Sequence, residues 1–218
     1  MGTSNLKAFL LDFDGTVANS LPLLYDAYDS FLKKRKLRPS LDEFNELKGP
    51  SLKEILLILK NKYSMEETLE NLYLEYETDL IERYKELKPH EGALEFLQAL
   101  KKKGLKLALV SSAPNKILDS FLSSHPDFAL FDLVVSGESV KKSKPNPDIY
   151  INTLRLMNLN PSETIAIEDS LLGALSADKA DIQVWLIFLE KASISLSRPP
   201  LFFNRWKEAL LFFQENYG

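Results

Sequence analysis

Two carboxylates two residues apart, Asp12 and Asp14, stand directly after the apolar run Leu6–Leu11 and before Gly15-Thr16. Such a pair can divide labour: one group attacks an electrophile or holds a cation while the other moves a proton. In an extended segment the two would share a side. A turn beginning at Gly15, which has no β-carbon to obstruct it, would separate their roles. In open α/β sheets ligands bind beyond the carboxyl ends of strands, where an aspartate following a buried strand belongs. Without a function the same residues are a polar strand-to-loop turn, but average residue usage seldom produces this combination by chance.

Asp12-Phe13-Asp14-Gly15-Thr16 resembles the first motif of the haloacid dehalogenase superfamily, and the later motifs of that family follow in order. Ser111 closes the apolar run Leu105–Val110, Lys144 lies in Ser143-Lys144-Pro145-Asn146-Pro147, and Glu168-Asp169-Ser170 follows Thr164–Ile167. The stretch Glu168 to Gly173, Glu-Asp-Ser-x-x-Gly, is similar to the branch of phosphatases and phosphomutases that carry a helical cap after the first motif. The resemblance runs from Asp12 to about Ala180. Taken singly the later residues are ordinary: a strand-end serine, a surface Lys-Pro turn, and an acidic pair at a helix N-terminus.

The resemblance implies Asp12 as a nucleophile that becomes a transient aspartyl-phosphate, and Asp14 as the general acid/base for leaving group and water. It also implies a Mg²⁺ site. The chemistry fits, because an anionic phosphate monoester repels a carboxylate unless positive charge intervenes, and hard cations take oxygen ligands. Asp12 and Asp169 are the natural ligands; the resemblance adds the main-chain carbonyl of Asp14, and Glu168 directly or through water. Lys144 would stabilise phosphoryl charge and the Ser111 hydroxyl would donate to a phosphoryl oxygen. Ser112 and Asn115, in the same loop, offer backbone amides to phosphate or serve as cap residues. Substrate specificity is expected from Ser20 and the turn Lys48-Gly49-Pro50-Ser51. Asn19, where many relatives have aspartate, and Asp178-Lys179-Ala180-Asp181, which lacks the usual glycine, leave every catalytic group in place. Their effect would fall on substrate-facing loops, among them the loop after Leu189.

The elements that must position these residues follow from periodicity. Apolar runs Leu6–Leu11, Leu105–Val110, Leu133–Val135, Thr164–Ile167 and Val184–Leu189 read as strands buried on both faces. Helices are expected at about Ala93–Lys103, Ile117–Leu122, Asp148–Met157 and Leu171–Ala180. Alternating strands and helices predict a Rossmann-like, doubly wound parallel α/β sheet. Between the first two strands, Leu21, Leu24, Tyr25, Tyr28, Phe31 and Leu32 form one helical stripe, and Leu69, Leu72, Tyr73, Tyr76 and Leu80 another. Three Ser-x-x-Glu pairs, Ser40/Glu43, Ser51/Glu54 and Ser64/Glu67, read as capping boxes. The expected division is a catalytic core of residues 1–19 and 86–218 with an inserted all-helical cap at 20–85. The aromatic tail, with Phe202, Phe203, Trp206, Phe212 and Phe213, reads as a helix on the core.

Composition narrows the function class. Among 218 residues, Lys+Arg 27 against Asp+Glu 31 gives a net charge of -4, with no basic track for nucleic acid. Lys101–Lys103 reads as a solvated helix terminus before Gly104. Cysteine is absent, which removes disulfides, thiolate metal sites and Cys nucleophiles. No signal-peptide pattern and no apolar stretch of about 20 residues is present, so a cytoplasmic protein without membrane partner is expected, monomeric or a small homo-oligomer. His90 and His125 sit in turn contexts and read as surface residues. The sequence therefore predicts a Mg²⁺-dependent phosphatase acting on a small phosphorylated metabolite. The alternatives are a sugar phosphomutase using the same intermediate, or a catalytically silent binding protein on the same fold.

Overall fold

The computed structural model describes residues 5–189 and 194–217. Six parallel strands form one sheet: β1 (Ala8–Leu11), β2 (Lys106–Val110), β3 (Leu133–Val135), β4 (Thr164–Glu168), β5 (Gln183–Ile187) and β6 (Leu201–Phe203). Their order across the sheet is β3-β2-β1-β4-β5-β6. The chain builds outward from β1 to β3, then returns to β4 on the other side of β1, which makes the carboxyl end of β1 the topological switch point.

Side chains alternate between the two faces of the sheet, and both faces are apolar, as a parallel sheet covered by helices requires. Phe9, Leu11, Leu107, Leu109, Ile165 and Ile167 point into one layer, while Leu10, Ala108, Val110 and Ala166 point into the other. The first layer is filled by α5 (Ala93–Lys102), α6 (Asn115–Ser124) and α9 (Trp206–Tyr217), and the second by α7 (Asp148–Met157) and α8 (Leu171–Lys179). Phe9 meets Phe96, Trp185 and Phe213 edge-on at centroid separations of 5.8, 5.3 and 5.9 Å. Such pairs add about 0.5–1.5 kcal/mol each beyond burial and tie α5, β5 and α9 to the central strand.

Between β1 and β2 the described chain is helical: α1 (Leu21–Lys34), α2 (Leu41–Glu46), α3 (Leu52–Lys62) and α4 (Leu69–Tyr84). The Ser51/Glu54 box is complete, with the serine hydroxyl and glutamate carboxylate reciprocally engaging backbone amides. Ser40 caps α2, but the Glu43 carboxylate turns away to Tyr28, Tyr63 and Lys62, so only half of that box forms. Ser64 does not begin a helix. It lies at φ 49° just past α3, with Ser64 N bonded to Asn61 O and Met65 N to Lys60 O, the left-handed ending that satisfies the last carbonyls of a helix. Thr68 caps α4 instead.

The aromatic tail is not one helix. Leu201–Phe203 pairs with β5, sending Phe203 into the first layer and Phe202 into the second with strand periodicity, and only Trp206–Tyr217 is helical. The two segments linking the helical insert to the sheet lie side by side: Asn19 N donates to Lys88 O and His90 N to Val17 O. Insert and core also touch through Ser120 Oγ, 2.7 Å from Ile81 O, and Lys116, 3.1 Å from Glu77. No described helix is long and apolar enough to cross a membrane.

Candidate active site

The site gathers at the carboxyl ends of β1, β2 and β4. Asp12 continues β1, its amide bonded to Ile167 O at 2.9 Å. The backbone then leaves the strand, and Gly15 turns it at φ 82°. A β-carbon at Gly15 would sit 2.1 Å from Asp169 Oδ2, so glycine is needed both for the turn and for the approach of the opposite carboxylate. Asp14 thus lies beyond the strand, separated in role from Asp12.

Lys144 is the electrostatic centre. Its ammonium lies 2.6 Å from Asp12 Oδ1, 2.7 Å from Glu168 Oε1 and 3.2 Å from Val110 O, which occupies its three donors, and it is only 3% exposed. The Tyr150 hydroxyl also donates to Glu168 Oε1, and the Tyr150 ring lies 5.3 Å from the ammonium. Burial alone would lower the Lys144 pKa, but Asp12 and Glu168 outweigh it and hold the ammonium above its ordinary value. One buried cation faces four carboxylates. Burial, with Asp12 nearby, pushes the Glu168 carboxyl up to about 7 and that of Asp169 well above the carboxylate range. Burial likewise pushes Asp14 up to about 6 against the hydrogen bond from Tyr84.

Carboxylate oxygens of Asp12, Glu168 and Asp169 lie within 4.8 Å of one another. Glu168 Oε2 is buried without a hydrogen-bond partner, and a β-carbon at Gly173 would fall 1.9 Å from it, so only glycine there leaves the carboxylate room. A cluster of hard oxygen donors with one orphaned oxygen and surplus negative charge fits a divalent cation such as Mg²⁺.

Other sequence-singled residues divide. Ser111 is buried at the end of β2, its Oγ accepting from Ala113 N at 3.0 Å, which leaves its proton free to be donated. The Ser112 hydroxyl is committed to Gly49 O at 2.9 Å, so only its backbone amide is available to a ligand. Asn115 bonds Glu138. Asp12, Asp14, Ser111, Ser112, Lys144 and Asp169 all line a cavity of about 130 Å³, roofed by the helical insert through Lys48 and Gly49 among others. Ser20 and Ser51 do not line it: Ser20 is fully buried and accepts from Gly15 N, bracing the turn, and Ser51 caps α3. His90 and His125 are half-buried against Phe188 and Phe121, away from the cavity. The loop after Leu189 begins with residues 190–193, outside the described residues.

Sequence reasoning passed over two tyrosines. Tyr84, the last residue of α4, donates its hydroxyl to Asp14 Oδ1, and Tyr150 supports Glu168. Tyr84 lies one turn beyond the stripe that ends at Leu80, and Tyr150 lies in the helix expected at Asp148–Met157. A tyrosine near the active edge is the one signal that a polar tip needed a partner.

The comparisons agree with this geometry. Residues 9–187 match the family model described as haloacid dehalogenase-like hydrolase. The chain is 28% identical over 216 residues to a phosphorylated carbohydrates phosphatase of Thermotoga maritima, covering 94% of this chain and 100% of that one. It is 27% identical to hexitol phosphatase A of Escherichia coli, covering 82% and 81%. The crystal structure of a beta-phosphoglucomutase from Clostridium difficile superposes with TM-score 0.82 at 24% identity, covering 97% of each chain, a likeness of fold. With its motifs converging on one cavity and the family model spanning nearly the whole sheet, this chain belongs to the haloacid dehalogenase-like hydrolases.

Proposed function

We propose that the protein is a Mg²⁺-dependent phosphatase of small phosphorylated metabolites, with residues 20–85 acting as a cap over the site. The observation that carries this reading is the convergence of Asp12, Asp14, Ser111, Lys144 and Asp169 on one cavity. The names of its relatives, a phosphorylated carbohydrates phosphatase and a hexitol phosphatase, support hydrolysis of a small phosphate ester.

Asp12 attacks phosphorus, the phosphorus–oxygen bond to the leaving group breaks, and Asp14 donates its proton to the departing alkoxide. Water then attacks the aspartyl-phosphate, Asp14 takes back a proton, and inorganic phosphate leaves with Asp12 regenerated. A carboxyl raised to about 6 suits both half-reactions, because it gives and accepts a proton near neutral pH. Lys144 orients Asp12 through its 2.6 Å contact, and Ser111 donates to a phosphoryl oxygen. Asp12, Asp169 and the Asp14 carbonyl would hold Mg²⁺, with Glu168 alongside. That ion supplies positive charge against the repulsion between the nucleophile and the phosphoryl oxygens.

A phosphate-release screen over phosphorylated metabolites, with and without Mg²⁺, tests the reading. Release that requires the metal and disappears in Asp12→Asn is expected. Absence of metal-dependent release from every ester would overturn it.

A further inference from the structure

The cap side of the cavity has an unusual chemistry for a site that takes a polyol. Leu21, Leu24, Phe44, Leu47, Ile55 and Leu80 all face into it, and Lys48 is the one charged cap side chain in its described lining. The lining from the cap includes no Asp, Glu, Asn, Gln, Ser, Thr, His or Arg side chain. Two of its three tyrosine hydroxyls are engaged, that of Tyr28 with Glu43 and Ser40 and that of Tyr84 with Asp14, which leaves Tyr76 as the third. Lys48 itself leans over the Phe44 ring, 5.7 Å from its centroid.

The polar groups of the cavity are therefore segregated. On the core side they converge where phosphate would sit; on the cap side, where the leaving group must lie, the surface is hydrocarbon and aromatic. A sugar or polyol placed there would bury hydroxyls that find few partners, and each unpaired buried hydroxyl is costly. The cavity is also small, at about 130 Å³, which favours a compact leaving group.

We propose, resting on the phosphatase reading, that the preferred leaving group is a compact apolar alcohol, aromatic or branched aliphatic, so that the substrate is a monophosphate ester with hydroxyls and carboxylates absent from its organic part. The determinants are the cap residues Leu21, Leu24 and Ile55, which are only partly buried and so present their side chains to the ligand.

Primary-alkyl esters of similar intrinsic reactivity make the test. Phosphate release with Mg²⁺ is measured from 3-methylbutyl phosphate and benzyl phosphate, and from glycerol 3-phosphate, 2-phosphoglycolate and glucose 6-phosphate. Since one hydroxyl forced into an apolar pocket costs up to about 100-fold in kcat/KM, the apolar esters should lead by about tenfold or more. Leu24→Gln and Ile55→Gln, checked for retained fold by circular dichroism, should narrow that ratio. Robust release with the polyol, sugar or carboxylate ester ahead overturns the inference while leaving the phosphatase reading intact. An unchanged ratio in both folded variants overturns the role of the cap lining, and no metal-dependent release from either group overturns both readings.

Discussion

The Tyr84 hydroxyl donates a hydrogen bond to the Asp14 carboxylate, joining the last turn of α4 to the residue proposed as general acid/base. Tyr84 is 1% exposed and lies against Phe13, which fixes its ring. Hydrogen bonds to charged groups contribute about 1.5–3 kcal/mol. Tyr84→Phe should therefore lower kcat by about 10–100-fold with little change in KM, against the roughly 10²–10⁴-fold expected for Asp14→Asn. Steady-state kinetics of the two variants decide it: a wild-type kcat in Tyr84→Phe would make the tyrosine a packing residue only.

Acid should loosen the cap through Glu43. Burial raises its pKa, but hydrogen bonds from Lys62, Tyr28 and Tyr63 outweigh that and leave it below the ordinary 4.5. A group depressed in the folded state contributes stability above its unfolded pKa, and that contribution is lost as pH falls through the folded value. Thermal melts of the wild type should decline below about pH 4.5, and Glu43→Gln should be less stable at neutral pH with a flatter acid branch. Parallel wild-type and variant curves over that range would remove Glu43 from the account.

How far these residues could be read in advance depended on the kind of signal. The first five strands, the helices around them and the helical insert were legible because burial leaves apolar runs in strands and an apolar stripe on helices, and Gly15 and Gly173 mark where a carboxylate needs room. β6 was not legible, since Phe202-Phe203 adjoins a true helix and merged with its aromatic run. Ser64 misled because Ser-x-x-Glu records a local possibility, whereas the ending of α3 depended on where Met65 had to be buried. Tyr84 and Tyr150 were hidden for a related reason: their rings obey the core pattern, and only their hydroxyls, through contacts 70 and 18 residues away in sequence, belong to the site.

Lys144 should matter for folding as well as catalysis. Removing one member of a buried ion pair leaves the partners uncompensated and costs about 3–5 kcal/mol. With Asp12 and Glu168 both buried against it, Lys144→Met should lower Tm on the order of 10 °C for a chain of this size and abolish turnover. A variant with wild-type Tm would show that the carboxylates relax without the ammonium.

The proposed metal site has a readout independent of turnover. A ligand that binds only the folded state at 100 times its Kd stabilises by about 2.7 kcal/mol. That corresponds to a rise in Tm of roughly 5–10 °C for a protein of this length. Mg²⁺ should raise the wild-type Tm on this scale, and Asp169→Asn should shift the titration midpoint to higher Mg²⁺. Identical titrations of the two proteins would place the ion elsewhere.

Hydrolysis should prevail over intramolecular phosphoryl transfer. A mutase holds a bisphosphorylated intermediate, so its cap needs a cation for the phosphate distant from Asp12, best supplied by the planar fork of an arginine. The turn Lys48-Gly49-Pro50-Ser51-Leu52 resembles the cap turn of sugar phosphomutases, but Leu52 stands where those relatives place the arginine. Leu52 is buried and contributes hydrocarbon to the cavity wall, and Lys53 does not line that cavity at all. Lys48 is the one cap cation in reach, a point charge held over Phe44, too little to retain a second phosphate through reorientation. Incubation with glucose 1-phosphate and a catalytic amount of glucose 1,6-bisphosphate, following glucose 6-phosphate and free phosphate together, should show release exceeding isomerisation. Isomerisation outpacing release would make the chain a mutase and assign Lys48 the role of the missing arginine.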